Sequence, residues 1–297
     1  MITGFSIILN DDIIYCSNEN QYTIFEIVLF LKELLTNINP KHTWLLHKMK
    51  LQSLHIQKEI MIIKHIYIDG DQLFYCISGD FSEYSKKSSE MLNEFQKKVE
   101  TYYSSIEVLK QSQKKELFTT IIENIVDYLW DEYETALEEE DLDEDVMYQG
   151  FENNRIIYCG LSTQGLPIIS QLFDDSLLKN LEFKVDEEKR ELFVSSISSK
   201  LATISINALI RAKSHINTIL IQDIDENCYK YIFFGELDVY TVDMFGSGNY
   251  FQINEIFEDL VSNLKVSGLL EIEFVGDLKP FKGLSKYIED FVSRETI

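Results

Sequence analysis

The sequence predicts an α+β fold, an α/β sandwich made of two similar units in tandem. Three observations point there. Some segments carry short β-branched apolar blocks, while others repeat apolar residues at helical spacing. The strand-like blocks are separated by polar residues suited to hairpin turns, so their pairing is expected to be mostly antiparallel. The order two strands, helix, three strands, helix occurs twice along 297 residues, a length comfortable for two domains.

In the first unit, ITGFSIIL (2–9) and IIYC (13–16) flank Asn10-Asp11-Asp12 and read as a hairpin. Residues 22–37 then change period, with Ile24, Ile27, Val28, Leu31, Leu34 and Leu35 on one helical face. Asn39-Pro40 closes that helix. Three strands follow over 43–55, 60–68 and 72–78, the last two joined at Asp69-Gly70-Asp71. A helix is expected over 82–103, with Met91, Leu92, Phe95 and Val99 as its stripe. Another is expected over 113–138, carrying Leu117, Ile121, Ile125, Tyr128, Leu129 and Trp130.

Residues 131–145, DEYETALEEEDLDED, contain ten acidic residues in fifteen. Repulsion at this density favours a solvated linker or a frayed helix end, and the calcium-loop glycine is missing. The expected division is therefore 1–130 for the first domain, 131–150 for the acidic linker, 151–268 for the second domain and 269–297 for an extension. The second unit begins with strands at 155–161 and 166–173, turned at Thr163-Gln164-Gly165. A helix over 192–210 places Ile197, Leu201, Ile204 and Ala208 on one face. Strands at 216–222, 228–234 and 237–245 follow, with turns at Asp225-Glu226-Asn227 and Gly235-Glu236. The next helix points Phe251, Ile256, Phe257, Leu260 and Leu264 inward. The extension holds a strand (269–275) and a helix (283–294). The tetrapeptide IIYC recurs at 156–159, but as the first strand of its hairpin rather than the second. It is two uses of a good buried-strand sequence, not the repeat itself.

Bulk composition narrows the function. A net charge of −23 repels phosphate backbones and anionic lipid surfaces, and favours basic partners. Cys16, Cys76, Cys159 and Cys228 show no CxxC spacing and read as reduced thiols in strands. The N-terminal residues lack a basic region, and no apolar stretch reaches membrane-span length, so a cytoplasmic protein is expected. His42, His47, His55, His65 and His215 form no HExxH spacing, although His55 and His65 could face each other across a hairpin. Gly246-Ser247-Gly248 precedes a helix but lacks the P-loop lysine, and reads as a turn and cap. No GxSxG elbow occurs. No catalytic, cofactor-binding or metal residues are assigned, and a non-enzymatic interaction protein is expected.

The element order resembles the longin fold and its relative, the roadblock fold. LFVSSISSKLATI (192–204) is similar to the serine-rich first helix of archaeal roadblock/longin proteins. INTILIQ…CYKYIFFGELDVYTVDMFG is similar to their closing meander. The resemblance implies two longin-like domains, each a five-stranded sheet covered by helices, pairing by sheets and first helices. It implies a platform that binds a Ras-type small GTPase, as scaffold or exchange-type regulator in trafficking-like processes. The alternative is an assembly subunit that pairs with other longin or roadblock proteins. An intramolecular pseudo-dimer and a homodimer both fit.

Both long helices carry apolar residues off their core stripes. These are Phe25 and Leu29 in the first, and Ala202, Ile206, Leu209 and Ile210 in the second. A helix apolar on two sides is covered on two sides. The second cover is the partner domain's helix or a GTPase, in which case these six residues face it, or a long terminal helix of the same domain.

Overall fold

The computed structural model describes residues 1–54, 58–82, 85–138, 154–179, 186–270 and 273–295. The first half runs β1 (Ile2–Leu9), β2 (Asp12–Cys16), α1 (Tyr22–Ile38), β3 (Trp44–Ser53), β4 (Lys58–Ile68), β5 (Asp71–Gly79), α2 (Lys86–Tyr102), α3 (Ile106–Ser112) and α4 (Glu116–Glu138). The second runs β6 (Arg155–Thr163), β7 (Leu166–Leu172), α5 (Ser176–Lys179), α6 (Glu187–Ala212), β8 (Ser214–Asp223), β9 (Cys228–Leu237), β10 (Tyr240–Ser247), α7 (Tyr250–Val266) and α8 (Lys282–Glu295). The α+β expectation holds.

All ten strands join one antiparallel sheet in the order β2-β1-β5-β4-β3-β8-β9-β10-β6-β7. Outward from its centre, each half repeats the same sequence of third, fourth, fifth, first and second strand. The centre is the pairing of β3 with β8, which sets Met49 opposite Ile219 and Leu51 opposite Ile216. The ladder is continued at both ends, where Leu54 N–H donates to Lys213 C=O at 3.0 Å and Ile224 N–H donates to Thr43 C=O at 2.9 Å.

The tight turns use residues that tolerate positive φ. Asp69 and Gly70 (φ 52° and 90°) turn β4 into β5, and Gln164 and Gly165 (47° and 80°) turn β6 into β7. The β9–β10 turn lies at Asp238 (φ 55°), so Gly235-Glu236, expected as the turn, falls inside β9. Helix starts are capped by side chains. Ser85 accepts from Ser88 N–H, Ser105 from Val108 N–H, Asp186 from Lys189 N–H and Asn249 from Gln252 N–H.

One face of the sheet carries α1 and α6 over a single core shared by both halves. At its middle lie Leu46, Met49 and Leu51 from β3, with Ile216, Ile219 and Ile221 from β8. The other face carries two separate cores. One lies under α2, α3 and α4, the other under α7 and α8. Each fully buried aliphatic side chain contributes about 1.5–3 kcal/mol relative to exposure, so the shared core ties the halves together energetically.

Several expectations need correction. The stripe of α4 keeps Ile125 and Leu129, both buried as expected, but its other buried members are Phe118, Ile122 and Val126, while Leu117 and Tyr128 are 71% and 48% exposed. Ser105 caps a separate short helix, α3, over 106–112, between the two expected helices. In α7, Tyr250 and Ile253 fill the core and Phe251 is exposed. No strand forms among the described residues of 269–275. Helix α6 starts at Glu187 rather than 192, and α4 continues through Glu138, inside the acidic stretch. The rest of that stretch lies outside the described residues.

The shared core predicts one cooperative unfolding transition. Trp44 sits against Phe245 of the other half, and Trp130 lies by the α4 core. In single-tryptophan variants both reporters are expected to give the same urea midpoint. Ile219→Ala should lower both midpoints together, reflecting a loss of about 2–5 kcal/mol in unfolding free energy. Two separate midpoints would show that the halves unfold independently.

Candidate interaction surface

Helices α1 and α6 pack side by side above the β3–β8 seam. Glu33 pairs with Lys200, and Glu26 pairs with Arg211 at 2.9 Å. The numbers rise along one helix as they fall along the other, so the pair is antiparallel. Between the two glutamates, Leu29 and Phe30, three and four residues on from Glu26, pack half-buried against the shared core. The outer surface of the pair is mostly polar: Ser196, Ser199, Thr203, Glu33 and Asn37 are exposed. The end where Arg211 meets Glu26 carries two exposed apolar side chains, Tyr22 and Ile210.

This arrangement sorts the six residues expected to face a partner. Phe25 is wholly buried, against Gly4 of β1, and Ala202 is 2% exposed; neither is open to a partner. Ile206 lies half-buried over Gly165 in the β6–β7 turn, and Leu209 is half-buried within a turn of it. Leu29 is half-buried against the shared core. Only Ile210, at 68% exposure, is free at the surface. The second side of each helix is thus covered largely from within the chain.

Among the described residues, one group could ligate a metal: Asp223, Glu226 and Cys228. The Lys230 ammonium already occupies its centre. Its Nζ donates to Asp223 at 3.0 Å and to Glu226 at 2.8 Å, and lies 3.9 Å from the Cys228 sulfur. Burial opposes the lysine's charge, but the hydrogen bonds to Glu226 and Asp223 outweigh it and hold its pKa above the ordinary value. The hydrogen bond from Lys230 in turn pulls the Glu226 pKa down. Lys230 also lies 5.0 Å from the Trp44 ring, and so ties β9 to the seam. Asp223 accepts from the Asp225 and Glu226 N–H groups as well, which fixes the β8–β9 turn.

A second buried polar centre lies beneath α6. Asp243 of β10 stands opposite Gly160 of β6, and a Cβ at Gly160 would come within 2.2 Å of the Tyr158 hydroxyl and 2.8 Å of the Asp243 carboxyl. Glycine is required there so that both side chains can share the space. Burial pushes the Asp243 pKa up to about 7, and the neighbouring Tyr158 hydroxyl offsets part of that shift. Asp243 Oδ1 has no hydrogen-bond partner. With Asp243 2% exposed, this carboxyl is enclosed rather than presented to a substrate.

His65 Nδ1 accepts from Leu46 N–H at 3.2 Å, and its ring stacks on Phe74 at 4.1 Å. Burial holds its pKa down to about 3, so it is neutral. His47 is held down to about 4, by burial first and then by Lys48 and Lys64. His55, expected to face His65 across a hairpin, lies outside the described residues. The cap after Gly246-Ser247-Gly248 is Asn249. All four cysteines are free; Cys76 and Cys159 are buried, and Cys16 and Cys228 half-buried. Contrary to expectation, α6 is long and apolar enough by composition to cross a membrane; here it lies across the sheet with its apolar face in the shared core.

No family model matches this sequence, and no curated protein matches it.

Two substitutions test the buried centres. The raised Asp243 pKa means the folded state holds a proton that the unfolded state releases. Its favourable contribution is full below about pH 4 and is lost as pH rises to about 7, a swing on the order of 4 kcal/mol. Asp243→Asn is therefore expected to flatten stability against pH over that window, measured by urea unfolding. An unchanged slope would mean that Asp243 is not the group responsible. Lys230→Met leaves Asp223 buried without its cation and is expected to cost about 3–5 kcal/mol. A loss under 1 kcal/mol would show that the seam does not depend on this ion pair.

Proposed function

We propose that the chain is a tandem pair of longin-like domains, related to the roadblock type. In this reading the domains join edge to edge through β3 and β8, with α1 and α6 as their paired first helices. The assembled pair acts in the cytoplasm as a non-enzymatic platform for a Ras-type small GTPase, as scaffold or exchange-type regulator in trafficking-like processes.

The observation that carries this reading is the mirrored strand order about the β3–β8 seam, together with the antiparallel α1–α6 pair above it. Longin and roadblock domains pair through sheets and first helices. An exchange-type regulator needs no catalytic side chain, only binding that favours the open nucleotide site over the closed one. The charge of −23 favours a partner with a basic contact surface.

The second reading is an assembly subunit that pairs with other longin-type chains. The surfaces such pairing would use, the β3 and β8 edges and the inner flanks of α1 and α6, are already joined to each other here. This weighs toward the platform reading.

Pull-down from host lysate, with and without EDTA to strip nucleotide, tests the proposal. The expected result is capture of a small GTPase that EDTA strengthens, followed by accelerated nucleotide release in a purified assay. Ile210→Asp is expected to weaken that capture by about 1–2 kcal/mol without changing stability. Recovery of longin-type chains alone, with no GTPase, would sink the platform reading and leave assembly.

A further inference from the structure

The sheet ends at β7, and among the described residues no strand lies beyond it. Its free edge can be read from the register. Tyr158 pairs with Leu172, Cys159 with Gln171 and Gly160 with Ser170, while Phe173 N–H donates to Ile157 C=O at 2.8 Å. Hydrogen-bonded and non-hydrogen-bonded pairs alternate in an antiparallel ladder. Phe173 and Gln171 therefore bond inward to β6, while Ser170 and Leu172 turn their N–H and C=O groups outward. The Arg190 side chain bears this out, because it reaches the Leu172 carbonyl from outside at 3.1 Å.

That edge is not flush with solvent. A cavity of about 490 Å³ runs along Ser170–Phe173. Glu191, Val194 and Ser195 of α6 wall it on one side of the sheet, and Glu289 and Ser293 of α8 wall it on the other. The α6 wall exists because α6 has 26 residues where α1 has 17. The α8 side also holds an unmet acceptor. Gln171 gives its amide N–H groups to the Ser285 carbonyl and hydroxyl, while its buried Oε1 has no partner. Arg190 is engaged by the Leu172 carbonyl and by Asp175 at 3.3 Å. The charges left facing the groove are the carboxylates Glu191 and Glu289, one on each wall.

We propose that the β7 edge is a docking groove for an extended basic segment of a partner protein, which adds to the sheet as a further strand. The backbone of that segment pairs with the outward N–H and C=O of Ser170 and the outward N–H of Leu172, whose carbonyl is held by Arg190. Its alternate side chains reach the two walls, lysine or arginine meeting Glu289 and Glu191 and an aliphatic residue covering Val194. About five residues, roughly 17 Å, fill such an edge. This assignment is independent of GTPase binding.

The test uses the full chain and a fluorescein-labelled peptide, Lys-Lys-Val-Lys-Lys-Val-Lys, which as a strand carries lysine and valine on both faces, read by anisotropy. A control peptide of the same charge is N-methylated at alternate residues, which removes strand pairing and keeps the electrostatics. The unmodified peptide is expected to bind about tenfold or more tightly than the control. Amide exchange at Ser170 and Leu172 should slow on binding. The double variant Glu191→Lys with Glu289→Lys, checked for folding by circular dichroism, should weaken binding by a similar factor. Equal binding of the two peptides would overturn the proposal, as would unchanged exchange at these amides. Protection of the same amides without peptide, rising with protein concentration, would also overturn it and assign the edge to a second copy of this chain.

Discussion

Most of this structure depends on one constraint, that β3 and β8 are edge strands unless they pair with each other. Left open, each would present a row of unpaired N–H and C=O groups and half-buried apolar side chains to water. Pairing them satisfies both edges at once. It also brings α1 and α6 together, because each helix lies over its own half close to the seam. The consequence is visible in the cores. Above the seam there is one apolar layer, while below it there are two that do not merge. The halves are therefore joined by backbone pairing and by one face of packing.

Electrostatics reinforces the same line. In so acidic a chain, few cations are available for internal work, and several are placed around the seam. Lys230 holds the β8–β9 turn and lies over Trp44, while Lys200 and Arg211 bridge α6 to α1. They differ in weight. The helix pairs are solvent-screened and contribute little each. The Lys230 site is enclosed, so removing one partner would strand a buried charge. Its geometry also explains why a trio of metal-type ligands needs no metal: the cation it surrounds is supplied by the chain.

Much of the local structure was legible in the sequence. The hairpin turns at Asp69-Gly70 and Gln164-Gly165, the core stripe of α1 and the stripe of α2 appear where periodicity and turn chemistry put them. What was hidden is what distant segments do to one another. Trp44–Ser53 and Ser214–Asp223 read as ordinary half-buried strands, and nothing local says that each covers the other's edge. The same gap explains the two-sided helices, since Phe25 and Ala202 looked surplus only because their covers lie far away in sequence. Tyr128 and Leu117 misled for a different reason. Aromatic and aliphatic residues on the flank of a helix blur its phase, and Phe118, Ile122 and Val126 define the core only once α2 is known to lie beside them. The Lys230 site did leave a trace, as acidic, thiol and lysine residues at 223, 226, 228 and 230. That spacing spans a turn, and is unreadable without the hairpin.

The seam uses one edge of each half, and that leaves β2 and β7 as the outer edges of a sheet whose halves differ. They are not equivalent. Tyr15 of β2 is buried under α4, close enough to Glu123 and Asp127 that their charges, after burial itself, raise its pKa. At β7 the corresponding space is left as a groove, because α6 begins nine residues' worth of helix longer than α1 and α8 stands off on the opposite side. Two halves that join along one edge fix their shared face and leave their outer parts free to differ. Here the difference is concentrated where a strand edge, two acidic walls and an unmet acceptor meet, so specialised recognition in this chain is more readily accommodated at the β7 end than at β2.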